Sequence, residues 1–291
     1  MSMTERAIRK RALGGFTLVE SIIVILLVGI LAAVSAVFIV QPFEASRDTT
    51  RRAELVDAAE TLLNRMAREI RLAVPNSVRI DGNALEFLRS STGGRYRRLQ
   101  SDGGGDNVLD PTQASGTFDV LGGLPGDVTV GTAGRACADS ATNTEDCIVI
   151  NNTGTTGFDA YNADNVAAIT GAAPGPSDPD TLSFDIGGGS TPPAFPAHSS
   201  NQRFQVFDTV VSYICTGDRI DRHHDYGLDA SQQVPPSGGS TTLLARDVTA
   251  CEFTYNAGAG QRHGLVTIDV TLRRNGETVR LVDQAHVVNV P

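Results

Sequence analysis

The sequence predicts an α+β protein: one long N-terminal helix, transmembrane and then amphipathic, packed on an antiparallel β-sheet domain. Three observations predict it. Residues 21–40, SIIVILLVGILAAVSAVFIV, run twenty positions without a charge. Residues 44–75 repeat apolar side chains every three and four positions. Residues 76–291 hold β-branched runs, alternating strands and turn dipeptides. The chain has 291 residues, 41% of them apolar, enough to bury a core. Aromatics are 5%, Trp is absent and glycine numbers 30, which suits a β-rich domain with many turns. The net charge of −9 argues against general nucleic-acid binding, which needs a basic footprint.

The first element is the membrane helix. Arg6, Arg9, Lys10 and Arg11 stand against Glu5 before it. The uncharged run spans ~30 Å at 1.5 Å per residue, the hydrocarbon thickness of a bilayer. The basic residues ahead of it predict a cytoplasmic N-terminus and an exported remainder. No small-residue cleavage site closes the run, since Ala32 and Ala33 lie inside it, so a retained helix is expected over a plain signal peptide. Glu20 sits at the entrance to the run, where an unpaired carboxylate is costly. It either snorkels to the interface or has a cationic partner. The cation that would lie nearest is a new amino terminus at Phe16, made by cleavage after Gly15 in a neighbouring copy.

Gly15-Phe16-Thr17-Leu18-Val19-Glu20 behind a short basic leader resembles the class III signal of type IV pilins and type II secretion pseudopilins. The resemblance implies a pilin-like fold and residues 1–15 as a prepilin leader. It implies cleavage after Gly15 by a prepilin peptidase/N-methyltransferase, and methylation of the amine of Phe16. It also implies that Glu20 pairs with the amine of an adjacent subunit during assembly. Removing the leader leaves 20 Lys+Arg against 32 Asp+Glu, a net charge of −12 on 276 residues.

The helix is expected to continue to residue 75, with 16–40 in the membrane. Gly29, Ala32, Ala33 and Ala36 place small residues at i, i+3, i+4 and i+7, a spacing that lets membrane helices approach closely. Pro42 is expected to interrupt or kink the helix. Leu55, Ala59, Leu62, Leu63, Met66, Ile70 and Val74 then form an apolar stripe that predicts packing on a sheet. Arg51, Arg52, Glu60, Arg65, Arg68, Glu69 and Arg71 fill the other faces, and Pro75 is expected to end the helix.

In the β domain, Ser77–Ile80 and Ala84–Arg89 flank the turn Asp81-Gly82-Asn83, and Thr209–Cys215 is a β-branched run. Val266, Ile268, Val270 and Leu272 alternate with polar residues. Asn275-Gly276 is a hairpin turn, and Val279, Leu281, Ala285 and Val287 return along the next strand. Residues 100–135 and 171–200, rich in Gly, Asp and Pro, are expected to be long loops.

Four cysteines in an exported domain predict disulfides, with three pairings open. Cys137–Cys147 and Cys215–Cys251 are favoured, the first closing a short polar loop and the second joining two strands. No C-x-x-C pair exists, and no metal or cofactor is expected. His223-His224 beside Asp221 and Asp225 reads as a polar loop. Asp102, Asp106 and Asp110 fail calcium-loop spacing and read as turn residues. Arg89, Arg95, Arg97 and Arg98 form a basic cluster that reads as a solvated face. No motif of a hydrolase, zinc peptidase or phosphate-binding loop occurs, so no enzyme is expected.

Residues 65–79 (RMAREIRLAVPNSVR), Ile150–Gly154, Cys251–Tyr255 and Gly264–Val266 further resemble the O-type biogenesis proteins of MSHA pili (MshO), which are similar to J-type minor pseudopilins. The resemblance implies a minor subunit that initiates or caps a pilus. It would sit in the inner membrane with a periplasmic C-terminal domain and then pass to the cell surface. Its partners would be other major and minor pilins and the inner-membrane assembly platform. A J-like pseudopilin of a type II secretion system remains the alternative, as does an adhesin or DNA-uptake minor pilin.

Overall fold

The computed structural model describes residues 15–124, 128–131, 145–173, 180–187, 193–258 and 262–291, with the backbone alone described for 37–45. Helix α1 (Leu18–Ile70) is followed by β1 (Arg79–Asp81), β2 (Ala84–Tyr96), β3 (Ser115–Leu121), β4 (Cys147–Val149) and a 3-10 turn at Ala160–Asn162. Then come β5 (Val166–Ala173), β6 (Asp180–Asp185), β7 (Arg203–Thr216), β8 (Arg219–His224) and β9 (Ser240–Arg246). Strands β10 (Val248–Asn256), β11 (His263–Arg274) and β12 (Glu277–Val288) complete the chain. This is an α+β chain with an N-terminal apolar helix and a large antiparallel β domain. It divides into two compact units, the first ending at Arg52 and the second starting at Ala53.

In the first unit α1 begins at Leu18 and stays helical through Pro42, so the expected interruption there does not occur. Proline removes one i→i−4 hydrogen bond, and here the turns on either side keep the helix continuous.

In the second unit the apolar stripe is buried as expected. Leu55, Ala59, Leu62, Leu63, Met66 and Ile70 are at most 4% exposed. They share one core with Leu85 and Phe87 of β2, Val211 and Tyr213 of β7, and Val266, Ile268 and Val270 of β11. Each large side chain so buried contributes roughly 1.5–3 kcal/mol. The helix ends at Ile70, five residues before Pro75. The chain leaves the helix because β2 offers better partners: Ala73 bridges to Arg89, Val74 N–H donates to Leu88 O at 2.8 Å, and Ser90 N–H donates to Leu72 O at 2.7 Å.

All strand pairings are antiparallel among the described residues. Nine strands run in the order β1-β2-β3-β6-β5-β4-β7-β8-β9, and β2 also pairs with β7. That extra pairing closes a ring of six strands, β2-β3-β6-β5-β4-β7, sealed at Arg95↔Leu121 and Tyr96↔Val120. Its core is aromatic: Tyr96, Phe118, Phe184, Phe195 and Phe204 are at most 2% exposed and cluster together. The other half of β2 and β7 continues as an open sheet with β1, β8 and β9. A separate three-stranded sheet, β10-β11-β12, shares the core under α1.

The expected 100–135 and 171–200 loops are corrected. Each contains a strand, β3 and β6, and the two pair with each other from Ser115↔Asp185 to Val120↔Asp180. Their alternation, Phe118 and Val120 against Leu182 and Phe184, was diluted by flanking Gly, Asp and Pro. The closing hairpin forms as expected: Arg274 opposes Glu277, Asn275 and Gly276 both take positive φ (51° and 91°), and β11 buries alternate residues. Such a two-residue turn matches the twist of its strands.

Candidate functional site: the N-terminal segment and its apolar helix

Gly15, Phe16 and Thr17 precede the helix and are exposed. A backbone stretch of this kind is open to a processing enzyme. Thr17 caps the helix: its Oγ1 accepts from Glu20 N–H at 3.3 Å, and its carbonyl accepts from Ser21 N–H at 3.1 Å. This is one half of a T-x-x-E capping box. Sequence reasoning missed that role for Thr17, although the pattern was visible. The Glu20 carboxylate, in the first turn, also complements the positive end of the helix dipole. Glu20 is exposed and enters no ion pair among the described residues.

From Leu18 to Ala36 the helix is long and apolar enough to cross a membrane. Every side chain in that window is exposed, with Leu18 at 77% and Ile25 at 72%. An exposed apolar helix of this length near the N-terminus fits a membrane anchor or a signal sequence. Gly29, Ala32, Ala33 and Ala36 are on it, and a Cβ at Gly29 would meet nothing within 4 Å.

At the other end of α1 a half-buried ionic cluster fixes the helix to the sheet. Glu69 accepts from Arg222 Nη2 at 2.5 Å and Nε at 3.0 Å, from Arg89 Nη1 at 3.2 Å, and from the Tyr213 hydroxyl. Arg89 also donates to Asp208 through Nε at 3.0 Å. Burial pushes the Glu69 carboxyl up, but the bonds from Arg222 and Tyr213 and the two nearby guanidinium charges outweigh it and hold it below the usual range. Glu69, on a face beside the apolar stripe, is thus half-buried, and β2, β7 and β8 bring its partners from far along the chain. Another carboxylate, Glu86, is fully buried and faces the opposite side of the sheet. Arg79 Nη2 donates to it at 2.6 Å while stacking 3.5 Å over the Tyr161 ring. Burial dominates there and pushes the Glu86 carboxyl up.

The remaining expected residues are dispersed. Cys215 and Cys251 form the favoured disulfide, joining β7 to β10 and so one sheet to the other. Cys147 in β4 is disulfide-bonded, while Cys137 lies outside the described residues, as do residues 1–14 of the expected leader. His223 and His224 belong to β8 and not to a loop, because β8 is zipped between β7 and β9. His223 Nδ1 pairs with Thr241 Oγ1 at 3.0 Å and His224 Nδ1 with Asp225 at 2.6 Å. Asp106 and Asp110 serve turns, as expected, accepting from Ser101 N–H and Thr112 N–H. No group of three His, Cys, Asp or Glu residues is placed to hold a metal among the described residues. The basic cluster is broken up. Arg89 is neutralised by Glu69 and Asp208, and Arg97 by Asp119 at 3.0 Å and Asp106 at 3.6 Å.

A groove of about 610 Å³ opens beside the Glu69 cluster, lined by Arg65, Arg68, Leu72, Ser90 and Ser91 among others. Ser90 and Ser91 both donate to Val206 O, and the carboxylates there accept from arginines, so neither hydroxyl is set against a free base among the described residues. No family model, no curated protein and no solved structure matches this chain.

Proposed function

We propose that the chain is a minor type IV pilin-like subunit of the MSHA type that helps initiate or cap pilus assembly. In this reading prepilin peptidase cuts after Gly15 and methylates Phe16, and the helix that follows joins equivalent helices of other pilins at the assembly platform. One observation carries it: a capped, fully exposed apolar helix starts two residues after Phe16 and carries one carboxylate, Glu20, with no ion-pair partner among the described residues. A plain anchor needs no carboxylate at that depth. An assembly helix uses it, because pairing with a neighbour's amine in a low-dielectric setting sets axial register. The β domain would be carried on the periplasmic side and later displayed at the surface.

The test is Glu20→Ala expressed with its natural partners, followed by membrane fractionation and shearing of surface filaments. The reading expects equal membrane insertion and strongly reduced recovery in filaments. Equal recovery of the two proteins in filaments overturns it.

A further inference from the structure

The groove of about 610 Å³ beside the Glu69 cluster carries an imbalance of charge. Four guanidiniums and two carboxylates line it. Arg222 and Arg89 are committed to those carboxylates, Glu69 and Asp208. The other two cations, Arg65 and Arg68, stand three positions apart on α1 and so share one face of the helix. Both are exposed, and neither enters an ion pair among the described residues. Arg68 donates its Nε to Asn64 O at 3.2 Å, within the helix, so its terminal nitrogens stay open to a ligand. The groove therefore holds two uncompensated positive charges in a chain whose net charge is −9.

Strands β2 and β7 supply a different chemistry to the same groove. Their ladder is bulged twice there: Arg89 opposes Thr209, Ser90 opposes Phe207 and Thr92 opposes Val206, which leaves Asp208 and Ser91 outside the register. Bulges re-aim side chains, and both of these residues line the groove. Ser90 and Ser91 donate their hydroxyls to Val206 O at 3.2 and 3.3 Å. A hydroxyl has one proton to give, so what these two offer a ligand is acceptor oxygen. Leu72, 51% exposed, adds an apolar side chain to the lining. A bare inorganic anion would use the arginines and leave the serine acceptors and Leu72 unmatched. It would also leave most of the volume empty, since the groove is in the range of about 300–1,000 Å³ typical for sites of larger ligands. A peptide with carboxylate side chains matches all three features: its carboxylates suit the guanidiniums, its backbone N–H groups suit the serine oxygens, and an apolar side chain suits Leu72.

We propose that this groove binds an acidic peptide segment of a partner protein. Arg65 and Arg68 take two of its carboxylates, and Ser90 and Ser91 accept from its backbone N–H groups. Guanidinium and carboxylate are both planar forks, so each such contact fixes orientation as well as charge. The groove lies wholly within the second unit, and the binding requires nothing of the assembly role proposed above.

Fluorescence anisotropy on the full-length protein in detergent tests this. The probe is a capped peptide of alternating Asp and Leu that carries a neutral dye, beside the same peptide with Asn in place of Asp. The proposal expects the acidic peptide to bind at least tenfold more tightly than the amide one. R65Q/R68Q should lower its affinity about tenfold, each exposed charge pair supplying roughly two- to fivefold. R95Q/R98Q makes the same change of charge at two exposed arginines outside the groove and should leave the affinity unchanged. Ser91→Ala should lower it roughly threefold by removing a neutral acceptor. Leu72→Glu, which sets a carboxylate in the groove, should lower it at least tenfold and carries the test should R65Q/R68Q also lower the melting temperature. Binding should weaken as ionic strength rises from about 0.01 to 0.15 M, where the screening length falls from about 30 to 8 Å. No saturable binding of the acidic peptide, equal affinity for the amide peptide, or an equal loss in R95Q/R98Q overturns the site. Inorganic phosphate displacing the probe at the same concentration as unlabelled acidic peptide overturns the peptide as its ligand.

Discussion

The half-buried Glu69 and the buried Glu86 should respond to pH in opposite directions, and Glu69→Gln against Glu86→Gln reads that difference. Glu69 holds α1 to three strands, and the side chains of Arg222 and Glu69 are 8% and 13% exposed. Removing one partner of a buried pair costs about 3–5 kcal/mol. The glutamine side chain of the Glu69→Gln variant keeps one acceptor oxygen, and Arg89 keeps Asp208, so the low end applies, about 3 kcal/mol. In a domain of this size each kcal/mol moves Tm by roughly 2–4 °C, giving a fall of about 6–12 °C at pH 7. Because the folded carboxyl of Glu69 lies below its unfolded value, its stabilisation is complete above the ordinary glutamate range. It is lost as pH falls through the folded value. The cost of Glu69→Gln should therefore shrink in acid. Glu86 is the reverse case: its folded value is raised, so its contribution is complete below the ordinary range and is lost as pH rises through the folded value. Glu86→Gln should compare more favourably with the wild type as pH rises. Circular-dichroism melts of full-length protein in detergent from about pH 3 to 8 make the comparison, a window that brackets the ordinary carboxylate range. Parallel pH trends in the two variants, or a Tm loss under about 2 °C for Glu69→Gln at pH 7, would refute the reasoning.

Three other outcomes follow from single features. Replacing Cys215 and Cys251 together by Ser should cost about 4 kcal/mol in the chain-entropy model for a separation of 36 residues, measured by denaturant titration, and an unchanged midpoint would contradict it. Gly276→Ala, at φ 91° in the β11–β12 turn, should cost about 1–2 kcal/mol on the same assay, with Gly103→Ala, in open space, as the neutral comparison. Glu20→Ala should leave membrane insertion unchanged and remove the protein from filaments, as read by immunoblot of sheared fractions.

Local signals were legible in the sequence. The stripe from Leu55 to Ile70 and the Asn275-Gly276 hairpin depend on neighbours a few residues away, and both formed where periodicity placed them. Long-range pairing was not legible. Nothing near Glu69 in the sequence points to Arg222, 153 residues away, and β2 meets β3 through only two residue pairs. Strands β3 and β6 hid in glycine-rich sequence because each is short and its alternation spans only a few residues. Pro75 misplaced the helix end because the stop comes from pairing with β2, a tertiary cause, and not from the proline. At the N-terminus the motif and the apolar run were plain, and the T-x-x-E pattern of the cap at Thr17, equally present in the sequence, was overlooked.

The central claim concerns a cut after Gly15, and the N-terminal mass of the protein purified from membranes tests it most directly. The account predicts a chain that begins at N-methyl-Phe16, with the same species present in sheared surface filaments. A chain that retains residues 1–15 in cells with an active prepilin peptidase would contradict it and leave the apolar helix as an anchor alone.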